Sequence, residues 1–141
     1  MYFRRLLVLI FLATSCVLLT GCSSGRFPVK GKVHYADGSP VEAGSVIAEA
    51  TIDGKLVGIQ GNIEKDGTFK MGGDQPGDGA LPGSYRVIVM PVSLGDSELA
   101  AGKTPAVDGK FSRFDSSVIT FEVKDKEVDV DIPVTKPKSK Q

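Results

Sequence analysis

The chain has 141 residues with 17 basic and 17 acidic side chains, so its formal net charge is zero and no bulk field steers it toward nucleic acid. Seventeen Gly, eight Pro, no Trp and a single His suit one small turn-rich β domain better than a helical bundle or a coiled coil. Both Cys fall in the first 22 residues, which excludes a zinc ribbon, a His-rich metal centre or a Cys/His nucleophile from the remainder.

Arg4 and Arg5 precede an almost unbroken apolar run from Leu6 to Leu19, the order of a secretory signal peptide. At about 15 residues the run falls short of the roughly 20 that span a bilayer as a helix. It closes on Leu19-Thr20-Gly21-Cys22, which resembles the lipobox of bacterial lipoproteins. The resemblance implies a signal peptide over residues 1–21, cleavage between Gly21 and Cys22, and a diacylglyceryl group on the Cys22 thiol. Each buried CH₂ contributes about 0.8 kcal/mol, so two or three acyl chains on one Cys hold a protein on a membrane. Cys16 leaves with the signal and Cys22 is consumed by lipid, so no disulfide staples the exported domain, which becomes mildly acidic once Arg4 and Arg5 are gone. Residues 22–28 read as a short lipidated tether. The expected address is the outer membrane or the periplasmic face of a bacterial envelope.

From Val29 onward apolar residues recur with period two, and turn signals separate the runs. Val29, Gly31, Val33 and Tyr35 share one face of a first strand, with Lys30, Lys32 and His34 opposite and Asp37-Gly38 as the turn. Strands are predicted over 45–51, 55–61 and 68–71, punctuated by Asp53-Gly54 and Asp66-Gly67. After the Gly-rich stretch 72–83, the run 84–92 is apolar on both faces. It is either a central strand covered on two sides or a face that meets a partner or the membrane. A long connection, 93–116, leads to strands over 117–123 and 128–132, and the basic residues 135–141 read as a disordered tail. Six or seven short strands with no helical period beyond 96–101 predict an all-β, antiparallel Greek-key sandwich over residues 29–134.

Gly31-x-Val33-x-Tyr35-x-Asp37-Gly38-x-Pro40-Val41-x-x-Gly44-x-Val46, then Asp66-Gly67-x-Phe69, then Gly77-Asp78-Gly79-Ala80-Leu81-Pro82-Gly83-x-Tyr85-x-Val87 resembles the carboxypeptidase-regulatory-like, or transthyretin-like, domains. The match is closest to small lipoproteins of planctomycete-type bacteria with one such domain after a lipobox. The resemblance implies a seven-stranded prealbumin-like sandwich and no known activity. A transthyretin-like relative hydrolyses a purine-derived ring with several His and Arg and a C-terminal Tyr-Arg-Gly-Ser. Here only His34 is present and the chain closes on Lys138-Ser139-Lys140-Gln141. The zinc carboxypeptidases that carry a similar appendage need a His-x-x-Glu pair, which this sequence lacks.

Candidate sites are few. Cys22 is the candidate lipidation residue that the lipobox resemblance implies. Asp74 and Asp78 in the Gly-rich loop are candidate calcium ligands, since glycines let backbone carbonyls approach; the alternative is a flexible turn without metal. Tyr35, Phe69, Tyr85 and Phe121 fall on inward faces, leaving Phe111 and Phe114 either as a partner-binding patch or as packing of the long loop onto the sandwich. Asp129 and Asp131 alternate with Val128, Val130 and Ile132, marking a solvent face and a charged edge that blocks aggregation. No cofactor is expected. The expected function is a non-enzymatic, lipid-anchored module that is structural or binds an envelope protein or glycan. The alternative is a small lipoprotein binding a peptide, glycan or calcium through loops 72–83 and 93–116.

Overall fold

The computed structural model describes residues 25–138; the expected signal peptide, its cleavage point and Cys22 lie outside the described residues, as do residues 139–141. Seven strands form: β1 Val29–Tyr35, β2 Ser45–Ile52, β3 Lys55–Asn62, β4 Thr68–Met71, β5 Gly83–Met90, β6 Thr120–Val123 and β7 Val128–Val134. A one-turn helix, α1 Asp96–Ala100, and a 3-10 turn, Gly109–Ser112, interrupt the long connection. The protein is therefore all-β, with a three-stranded sheet ordered β4-β1-β7 and a four-stranded sheet ordered β3-β2-β5-β6.

The expectation of a purely antiparallel sandwich is corrected in one place: β1 and β7 run parallel, from Val29 opposite Val128 to Tyr35 opposite Val134. Alternation specifies which face of a strand is buried and carries no information on strand direction. The remaining pairs are antiparallel.

Burial follows the period of two. Val29 and Val33 of β1, Val46, Ala48 and Ala50 of β2, Phe69 and Met71 of β4, Tyr85, Val87 and Val89 of β5, and Val130, Ile132 and Val134 of β7 meet in one core. Apolar burial at about 25 cal/mol per Å² is the main stabilising contribution in a domain without disulfides. Tyr85 is fully buried, its hydroxyl donates to the Leu81 carbonyl at 3.0 Å, and its ring stacks on Phe121 with centroids 5.2 Å apart.

The turns form as their residues dictate. Gly38 and Gly67 take φ of 83° and 84°, and in each case the preceding Asp carboxylate accepts from the amide and hydroxyl two residues on: Asp37 from Ser39, Asp66 from Thr68. These bonds hold the Asp37 and Asp66 carboxyls below the usual carboxylate range. Asp53 and Gly54 both have positive φ and close the β2–β3 hairpin.

Three boundaries differ from the sequence reading by two residues or more, each for a local reason. β5 stops before Pro91, whose ring leaves no donor for the ladder. β6 begins at Thr120 rather than Ser117, because side chains replace the ladder: the hydroxyls of Ser117 and Ser112 donate to the Val87 and Val89 carbonyls at 2.6 and 2.9 Å. β7 runs on to Val134 through Pro133, an edge position where the missing N–H costs no pairing. At the N-terminus, Phe27 and Ala80 exchange two backbone hydrogen bonds, so ordered structure begins ahead of Val29. At the other end, the Thr135 carbonyl accepts from the Asp108 amide and Lys136 Nζ lies over the Tyr35 ring, 4.7 Å from its centroid.

Candidate functional site: a lysine-lined groove beside the glycine-rich loop

The outward face of the β4-β1-β7 sheet carries the polar partners of the core residues. Lys30 of β1 stands between Lys70 of β4 and Asp129 of β7, and Lys32 between Thr68 and Asp131. With Asn62, Glu64, Phe69, Pro76 and Gly77, all of these residues except Asp131 line an open groove of about 690 Å³. Lys30 is tied to Glu127 at 2.6 Å, and that bond and its charge raise the Lys30 ammonium above its ordinary value. Among the described residues, Lys32 and Lys70 make no ion pair and remain available to an anionic or carbonyl-rich ligand. The sequence reading placed Lys30 and Lys32 on a polar face but missed Lys70 as their neighbour. The one available signal was the same alternation in β4, with Lys70 opposite Phe69 and Met71.

The groove ends at the Gly-rich loop, and the loop is organised by Asp78. Its carboxylate accepts from the amides of Gly73, Gln75 and Asp74 at 2.8, 3.2 and 3.3 Å. Arg26 closes the arrangement, with Nη2 2.6 Å from Asp74 and Nε 3.6 Å from Asp78. Burial acts to raise the Asp78 carboxyl, but the amide donors and the Arg26 charge outweigh it and leave it below its ordinary value. Asp74 and Asp78 are thus brought together as expected, but around a guanidinium. The pair forms a latch between the loop and the residues ahead of β1, and a cation there would have to displace Arg26 and three amides. Among the described residues no cluster of three or more His, Cys, Asp and Glu is arranged to hold a metal ion. Arg26 itself carried no signal in the sequence, since 48 residues separate it from Asp74.

His34 is half-buried rather than freely solvated. Its two ring nitrogens lie 2.9 Å from the Tyr35 carbonyl and 2.9 Å from an Asp131 oxygen. Two acceptors facing one imidazole favour the protonated ring, and they raise its pKa above 6.5, the backbone carbonyl contributing most. The Tyr35 hydroxyl donates to the Ala106 carbonyl at 2.9 Å, and burial pushes the phenol up.

Of the two candidate aromatics, Phe111 is buried in the core cluster and is withdrawn from the surface. Phe114 is half-buried, with the Arg86 guanidinium 5.5 Å from its ring centroid. The connection thus packs back onto β5, where Ile88 on the outer face of the strand is buried while Arg86 and Met90 stay exposed. Among the described residues no helix is long and apolar enough to cross a membrane. No family model, no curated protein and no solved structure matches this chain.

Proposed function

We propose that the protein is a lipid-anchored, non-enzymatic interaction module of a bacterial envelope, with a prealbumin-like sandwich of the carboxypeptidase-regulatory-like kind. The observation that carries this reading is the closeness of anchor and fold. Cys22 of the lipobox-like tetrad precedes Arg26 by a few residues, and Arg26 is latched to Asp74 and Asp78. At about 3.5 Å per extended residue, the latch lies within roughly 15 Å of the lipidated thiol. A domain held that close by one end presents its sheet faces and edges to neighbours in the same envelope. The engagement of the one His with Asp131 and a backbone carbonyl supports a positioning role for it rather than a part in catalysis. Seven strands in two sheets support the prealbumin-like assignment.

Fractionation of cells expressing wild type and Cys22→Ser tests the anchor. The proposal requires wild type in the membrane fraction and the variant released, and equal partition of both overturns it. Cross-linking on intact cells tests the interaction role, through a defined adduct that survives in wild type and is lost when the domain is replaced by an unrelated one of equal size.

A second reading, a small-ligand module using loops 72–83 and 93–116, is favoured by the lysine-lined groove that reaches Pro76 and Gly77. Saturable heat on titration with an envelope glycan or peptide, abolished by Lys32→Glu and Lys70→Glu, would select it.

A further inference from the structure

The two sides of the sandwich are closed differently. On the β3–β4 side, Gln60 and Gly72 exchange two backbone hydrogen bonds of 2.9 Å, which join the sheets. On the opposite side β6 and β7 are the edge strands, and no such bridge joins them among the described residues. Phe121, Ile119 and Val128 are left half-buried there.

The edge of β7 has a defined chemistry. The Val128 N–H donates to the Pro28 carbonyl, so in this parallel ladder Val128, Val130, Ile132 and Val134 direct their amides and carbonyls toward β1. Asp129 and Asp131 therefore direct theirs outward, and those N–H groups have no hydrogen-bond acceptor among the described residues. Pro133 and the Thr135 carbonyl, already taken by Asp108, end the open stretch on one side. The side chains flanking these free amides are Asp129 and Asp131, and Glu127 continues the acidic series one step earlier. Glu127 and Asp131 each have one partner, Lys30 and His34; Asp129 has none among the described residues. A second copy of β7 is a poor occupant, because antiparallel self-pairing would set Asp129 against Asp131 twice, and like charges directly opposite destabilise a strand pair.

We propose that the β7 edge takes an added strand from a partner polypeptide that carries Lys or Arg at every second position and apolar residues between them. Backbone bonds to Asp129 and Asp131 would supply affinity, and the basic residues would face the Asp carboxylates. The apolar residues would cover the seam at Phe121 and Val128. The inference rests on the interaction-module reading but not on the anchor.

The test uses the full chain in detergent micelles and a labelled eight-residue peptide of alternating Lys and Val. Controls are a peptide of the same composition with its Lys and Val in separate blocks, and an alternating peptide N-methylated at every second residue. The proposal expects saturable binding of the alternating peptide, weaker by about tenfold or more for either control, because strand addition needs both order and backbone donors. It also expects slowed hydrogen exchange at the Asp129 and Asp131 amides, and a similar loss of binding in Asp129→Lys with the Tm retained. The N-methylated control needs no variant, so the test stands even if Asp129→Lys fails to fold. Equal binding of the block peptide, or no saturable binding, overturns the proposal. Protection that falls instead on Leu56 and Gly58 of the β3 edge also overturns it, yet leaves the interaction reading intact; that reading falls only if cell cross-linking yields no adduct.

Discussion

The ring of Phe69 fills the space that a side chain on Gly31 would need. The two residues are register partners across β4 and β1, and a Cβ on Gly31 would sit 2.7 Å from Phe69 Cζ and closer still to the Val130 carbonyl oxygen of β7. Glycine ordinarily weakens a strand, yet here it lets an aromatic from one neighbour and the backbone of the other close over β1. Gly31→Ala is expected to destabilise the domain by about 1–3 kcal/mol through overpacking, and Phe69→Ala by about 3–5 kcal/mol through loss of a fully buried ring. Urea unfolding checks both, with the midpoint moving at nearly constant slope.

The Asp78 latch predicts a local effect. Asp78→Ala removes the acceptor for three amides and is expected to speed hydrogen exchange at Gly73 and Gln75 while the strand core exchanges as in wild type. Calcium titration of the wild type is expected to leave those amides unmoved, since Arg26 occupies the position a cation would take. Because the folded Asp78 carboxyl lies below its ordinary value, the contribution of the latch is complete above the unfolded value near 3.8 and is lost as pH falls through the depressed folded value. The same exchange measurement repeated toward pH 3 checks the sign.

His34 gives the opposite slope. Its folded pKa is raised above 6.5, so its stabilising contribution is complete below the unfolded value and disappears as pH rises through the raised folded one. Wild type is expected to exceed His34→Gln in Tm at pH 5.5, with the gap closing by pH 9. A gap that is constant across this range would show that the contacts to Asp131 and the Tyr35 carbonyl do not favour the charged ring.

Much of the fold was legible because its signals are local. Alternation in 29–35, 45–51 and 128–132 assigned the buried faces, and Asp37-Gly38, Asp53-Gly54 and Asp66-Gly67 marked turns whose positive φ the structure contains. What was not legible depends on residues far apart in sequence. The parallel pairing of β1 with β7 joins segments about a hundred residues apart, and a period of two is the same for either direction. Lys70 beside Lys30, and Arg26 between Asp74 and Asp78, are likewise products of folding. The sequence presented Asp74 and Asp78 as an acidic pair, and only the fold supplied the guanidinium that cancels it. For Phe111 the sequence offered both a surface patch and packing of the long loop, because nothing in Val107 to Phe114 announces the 3-10 turn that drives it inward.

Tyr85 ties its strand to the loop before it. Tyr85→Phe keeps the ring stacked on Phe121 and removes the hydroxyl donor to Leu81, and it is expected to cost about 1 kcal/mol, the net contribution of one such bond. Tyr85→Ala is expected to cost about 3–5 kcal/mol by cavity formation. Thermal unfolding of the two variants separates the hydrogen bond from the packing.

Anchoring of the domain to a membrane through Cys22, as proposed, is checked by intact-mass analysis of the membrane fraction from a bacterial host. The expected species is a chain beginning at Cys22 with added acyl mass, with both the processing and the mass lost in Cys22→Ser. A wild-type chain that keeps Met1 and carries no acyl group would contradict it.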